Sequence, residues 1–131
     1  MNARLLTVTV LALMVSAAHL PLHAHHSIAA QFHLDKTNTV VGTITKMEFK
    51  NPHSWLYVQG KDAGGQMAQW SIEFGSANAL YRRGWRRQDL PVGSAVTVTG
   101  YVSRDGSRIL GATDVKLADG RTLFAGSAPG R

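Results

Sequence analysis

The stretch Gln66–Phe74, QMAQWSIEF, alternates without a break. Ala68, Trp70, Ile72 and Phe74 fall on one side, and Gln69, Ser71 and Glu73 on the other. Successive side chains of a strand point to opposite faces, so this pattern demands a sheet with one buried side and one wet side. The same signature recurs along the chain. Thr39–Phe49 is rich in β-branched residues and reads as a long first strand. Gly42 inside it marks a bulge or a sharp bend. Asn51-Pro52 punctuates the chain, and Ser54–Gln59 forms a second strand with Trp55 and Tyr57 on one face and Leu56 and Val58 on the other. Gly60–Gly65 is a hairpin loop leading into the third strand, Gln66–Phe74. Leu90–Tyr101 gives a turn and a fourth strand, Asp105-Gly106 a hairpin turn, and Arg108–Ala118 a fifth strand. Asp119–Phe124 adds a turn and a short sixth strand.

The period changes once. Ser76 can cap a short helix over Ala77–Arg83, with Ala77, Leu80 and Tyr81 on one face. Gly84 stops it, and Arg82 and Arg83 occupy the last turn, where cations suit the helix dipole. Three strands, one short helix, then two strands is the order of a mainly β, five-stranded OB-like antiparallel barrel. The rival is an open sheet or small sandwich packed on one helix. The barrel is favoured because small antiparallel sheets need their edges closed.

The start of the chain has the order of a secretory signal: Met1–Arg4 positive, Leu5–Val15 uncharged, then small residues. The alternative is a transmembrane anchor, but the apolar run is shorter than the ~20 residues a span needs. Cleavage after Ala18 or after Ala24 fits. The expected organisation is a signal over 1–24, an N-terminal segment over 25–38, a barrel domain over 39–124 and a flexible tail over 125–131. Periplasmic or secreted location follows. The 131 residues include no cysteine, which excludes cysteine-ligated metal and thiol catalysis. The net charge of +6 points, outside the cytoplasm, to an acidic envelope protein, anionic lipid or cell-wall polymer rather than nucleic acid.

Several blocks in order, HHS at His25–Ser27, NPHSW at Asn51–Trp55, GSANALYRRGW at Gly75–Trp85, VTVTGY at Val96–Tyr101 and LADGRTLF at Leu117–Phe124, carry a resemblance. The chain resembles a family of small exported bacterial proteins catalogued as a domain of unknown function. The third block there more often reads Gly-Gly-Ser-Pro-Asn; here Phe74 and Ala77 stand in two of those places. The resemblance implies export and this fold, and no established activity.

Two constellations could carry chemistry. Cleavage after Ala24 would leave His25 as the N-terminus, offering an amine and an imidazole to one metal. His53, held by Asn51-Pro52, could add a third nitrogen, a set that suits Cu(II). His26 offers a different chelate through the amine and the intervening amide. The competing reading is a solvated terminus and a His53 that ties the Asn-Pro turn to backbone. The second constellation is Tyr81–Arg87, in which Arg82, Arg83, Arg86 and Arg87 surround Trp85. Guanidinium groups grip phosphate or carboxylate and stack on aromatic rings. The competing reading puts Trp85 in the core, with the arginines in water or paired with Glu73 and Asp89. Trp55 joins the candidate ligand-binding residues, although Trp55, Tyr57 and Trp70 lie on strands, where aromatics fill cores more often than they stack ligands. Glu48 and Glu73 are isolated strand carboxylates, and no nucleophile elbow or phosphate-cradling loop occurs. The reading is a non-catalytic binding or interaction module of the envelope. The alternatives are a copper-binding protein and a structural accessory subunit.

Overall fold

The computed structural model describes residues 27–126. The expected signal segment, His25, His26 and most of the expected tail lie outside them. The elements are α1 (Ile28–Gln31), β1 (Phe32–Glu48), β2 (Ser54–Lys61), β3 (Met67–Phe74), α2 (Ala77–Arg82), β4 (Ala95–Ser103), β5 (Ile109–Leu117) and β6 (Thr122–Phe124). They form one mainly antiparallel sheet in the order β3-β2-β1-β4-β5-β6. A parallel pairing of Ser71–Glu73 with Ile109–Gly111 joins β3 to β5, so the first five strands run in a ring.

The buried faces follow the alternation read from the chain. Leu56 and Val58 of β2, Trp70, Ile72 and Phe74 of β3, Val96 and Val98 of β4, and Leu110 and Val115 of β5 meet inside. Trp70 fills the core, but Trp55 and Tyr57 stand half-exposed on the outer face of β2. Ser76 caps α2 by accepting from the Ala79 N–H at 3.2 Å. Gly84 follows at φ 95°, a left-handed conformation that stops the helix as expected.

β1 begins at Phe32, seven residues before the expected Thr39. Its early part pairs with β4 from Phe32↔Ser103, and the Phe32 ring is buried over Gly111. A register shift between His33 and Thr37 leaves Leu34, Asp35 and Lys36 exposed, which breaks the alternation that marks a strand. The expected irregularity at Gly42 falls instead between Ile44 and Lys46. Gly42 serves close approach: it faces Gly60 across the β1–β2 pair, and a Cβ there would strike the Gln59 carbonyl.

Candidate functional site

The Phe49–His53 loop between β1 and β2 is pinned from both sides. The buried Ser54 hydroxyl accepts from the Lys50 N–H at 3.2 Å and donates to the Lys50 carbonyl at 3.2 Å. The Lys50 carbonyl also receives the Ala77 N–H, and the Asn51 side chain accepts from the Asn78 N–H at 3.3 Å. The loop therefore satisfies the open N-terminus of α2. The Asn51-Pro52 bond is cis. So held, the loop delivers His53 to the outer face of β2 and β3.

There His53 meets Glu73. Trp55 and Glu73 are direct partners in the β2–β3 register, and the His53 Nδ1 lies 2.8 Å from the Glu73 Oε1. The Glu73 side chain is only 13% exposed against 44% for His53. Burial pushes the Glu73 carboxyl above its ordinary range, and the charge of His53 acts against that rise. With Nδ1 engaged, His53 keeps Nε2 for another partner.

These side chains line a cleft of about 490 Å³. Pro52, His53, Trp55 and Glu73 form one wall; Ser103, Arg104, Asp105 and Ile109, from the β4–β5 connection, form the other. Ala30, Gln31 and Phe32 close the end. The Asp105 carboxyl is held down to about 2 by hydrogen bonds from the Ser103 hydroxyl and from Ser107. The Arg104 Nε donates to the carbonyls of Ala29 at 2.7 Å and Phe32 at 3.1 Å, tying α1 to the β4–β5 turn. Beside the cleft, Lys46 and Lys50 hold the Glu48 carboxyl down to about 2. Lys46 also sits 5.5 Å from the Tyr57 ring centre.

The structure thus brings His53 and Trp55 of the sequence candidates into one cleft and separates them from the arginine segment. Trp85 has no surface for a ligand. It is fully buried, its ring lies 5.7 Å from that of Phe74, and its indole N–H donates to the Phe124 carbonyl at 2.9 Å. The four arginines are exposed. Arg83 donates to the Gly126 carbonyl and lies over the Phe124 ring; Arg86 donates to the carbonyls of Tyr81 and Trp85; Arg87 lies over the Phe49 ring. None pairs with Glu73 or Asp89 through its side chain. Glu73 holds His53, and Asp89 takes Arg121 at 2.7 Å and the Arg86 backbone N–H at 2.7 Å. Among the described residues no three metal-ligating side chains of His, Cys, Asp or Glu come together, and no helix is long and apolar enough to cross a membrane.

Sequence reasoning missed Glu73 as the partner of His53, and Arg104 and Asp105 as cleft residues. The first was within reach: extending a β2–β3 hairpin back from its turn sets Trp55 opposite Glu73. The other two needed the β3–β5 closure.

Residues 12–112 match the model of a family of unknown function (DUF6152), and the chain belongs to that family. No curated protein and no solved structure matches the chain.

Proposed function

We propose that this family member is an exported, non-catalytic binding module of the cell envelope, and that its ligand sits in the cleft between His53, Trp55 and Glu73 and the β4–β5 turn. The observation that carries the reading is the His53–Glu73 pair, a shielded carboxylate with a raised pKa on the wall of a cleft beside a half-exposed tryptophan. We further read the ring of five strands as an OB-like barrel. In that architecture the face of strands 2 and 3, between the 1–2 and 4–5 loops, is where oligomeric ligands bind, and the cleft occupies the corresponding place.

Trp55 supplies a flat apolar surface, and His53 and Glu73 supply polar partners. Two carboxylates, Glu73 and Asp105, share the cleft with Arg104 and His53, so neither sign of charge dominates there. A neutral saccharide unit of a cell-wall polymer suits this set best. Titration of soluble cell-wall glycan fragments, followed by amide NMR, tests the reading. Shifts should centre on Trp55 and His53, and Trp55→Ala should abolish them. Shifts elsewhere, or binding indifferent to Trp55→Ala, would sink it. Recovery of one stoichiometric envelope protein with no glycan binding would favour the accessory-subunit reading.

A second reading is copper binding through His25 or His26 with His53. It is favoured by the engagement of Nδ1 with Glu73, which orients the ring and leaves Nε2 for a metal. Ala30–Phe32, a few residues after His26, line the same cleft. Such a site needs ligands from before Ser27. Cu(II) titration read by electron paramagnetic resonance should show a nitrogen-rich site that His53→Ala alters. A processed N-terminus beginning beyond His26 would end this reading.

A further inference from the structure

We infer that the arginine–aromatic surface at the end of α2 docks the protein on an anionic lipid bilayer, separately from the ligand cleft. Over residues 27–126, lysines and arginines exceed aspartates and glutamates by four. Arg82, Arg83, Arg86 and Arg87 equal that whole excess within one six-residue stretch. None of them forms an ion pair among the described residues; Lys36, Lys61, Arg104, Arg108 and Lys116 also form none but are scattered along the chain, so the clustering sets these four apart. Positive charge is therefore concentrated on this surface, and no carboxylate among the described residues is paired to it.

The arginines are also partly pre-ordered. Arg83 and Arg86 each spend donors on backbone carbonyls, which fixes their direction while leaving their charge intact. Such anchoring lowers the rotamer entropy lost on contact with a partner. A soluble polyanion would require only the charge. This surface adds rings: Phe124, 42% exposed, lies beneath Arg83, and the half-exposed Tyr81 stacks on Phe49 at 5.5 Å beneath Arg87. Guanidinium groups beside the amphipathic Tyr81 ring and the exposed Phe124 ring match the headgroup layer, where tyrosine settles and anionic lipid attracts cations. The Phe49–His53 loop links this surface to the cleft, so docking would hold the cleft close to the membrane.

The test is flotation of the processed protein with phosphatidylglycerol–phosphatidylcholine vesicles and with pure phosphatidylcholine vesicles. Binding should require the anionic lipid and should fall steeply as salt is raised. Each arginine should contribute roughly fivefold. Arg82→Gln with Arg87→Gln, neither of which loses a backbone hydrogen bond, should weaken partition by about 25-fold on the same scale. Replacing all four arginines by lysine keeps the charge but removes the carbonyl anchors of Arg83 and Arg86, and should weaken binding less than the double glutamine variant does; His53→Ala should leave binding unchanged. Equal binding to neutral vesicles, or undiminished binding by the folded double variant, would overturn the inference. So would competition by a soluble phosphate polymer at matched charge that leaves no preference for the bilayer.

Discussion

Trp85→Phe separates a core residue from a ligand residue. Trp85 is fully buried, packs on Phe74 and donates its indole N–H to the Phe124 carbonyl at 2.9 Å. Phenylalanine keeps a ring against Phe74 but removes the donor and part of the buried surface. Losing the hydrogen bond costs about 1 kcal/mol. Losing one or two buried methylene equivalents costs about 0.8 kcal/mol each. The expected loss is about 2–3 kcal/mol, a large fraction of the ~5–15 kcal/mol that holds a domain together. For ~100 residues this corresponds to a melting temperature lower by roughly 10–20 °C. In urea, with a slope near 1 kcal/mol/M, the midpoint should fall by about 2–3 M with the slope unchanged. Far-UV circular dichroism is the suitable probe, because the substitution alters tryptophan emission. Arg82→Gln serves as the surface control, within about 0.5 kcal/mol of the parent. An unchanged midpoint for Trp85→Phe, or weaker vesicle or glycan binding at undiminished stability, would refute the core assignment.

Three further outcomes follow from the same contacts. Because burial raises the Glu73 carboxyl in the folded chain, the folded state keeps that proton at pH values where the unfolded chain has lost it. Its contribution to stability therefore declines as pH rises from the ordinary carboxylate value through the raised one, and denaturant titrations of Glu73→Gln should lack that decline. Gly42→Ala should cost about 1–3 kcal/mol in thermal unfolding, since its Cβ meets the Gln59 carbonyl and the β1–β2 pair must part. Ser54→Ala should cost about 1–3 kcal/mol by leaving the Lys50 N–H without its partner, while the Lys50 carbonyl keeps the Ala77 N–H. It should also disturb the His53 amide and ring NMR signals, whereas unchanged signals would show that Ser54 does not position the loop.

Much of the sheet was legible because its signal is local. Alternation in β2 and β3 names the buried side chains one by one, and Ser76 and Gly84 bracket α2 with residues whose chemistry suits those places. The early half of β1 was not legible. The outward loop at Leu34–Lys36 scrambles the two-residue period, and only pairing with β4 identifies that stretch as strand. Gly42 showed that the backbone needed room, but not that the need arose from β2 crossing close by. At the candidate site, His53 and Trp55 stood out as residue types. The role of Glu73 depends on a neighbour 20 positions away, and Asp105 lies on a turn more than 50 positions from His53.

The sequence by itself determined the sheet-forming segments, the capped helix, the absence of thiol chemistry and the concentration of arginines, because each depends on residues close together in the chain. Tertiary structure decided which aromatics are core and which are surface. Trp70 and Trp85 went inside, and Trp55 was left beside the cleft. It also decided that His53 should meet Glu73 rather than an arginine, and that the β4–β5 turn should face both. Those outcomes depend on strand register and on the β3–β5 closure, which bring distant side chains to within hydrogen-bond distance in ways no local pattern encodes.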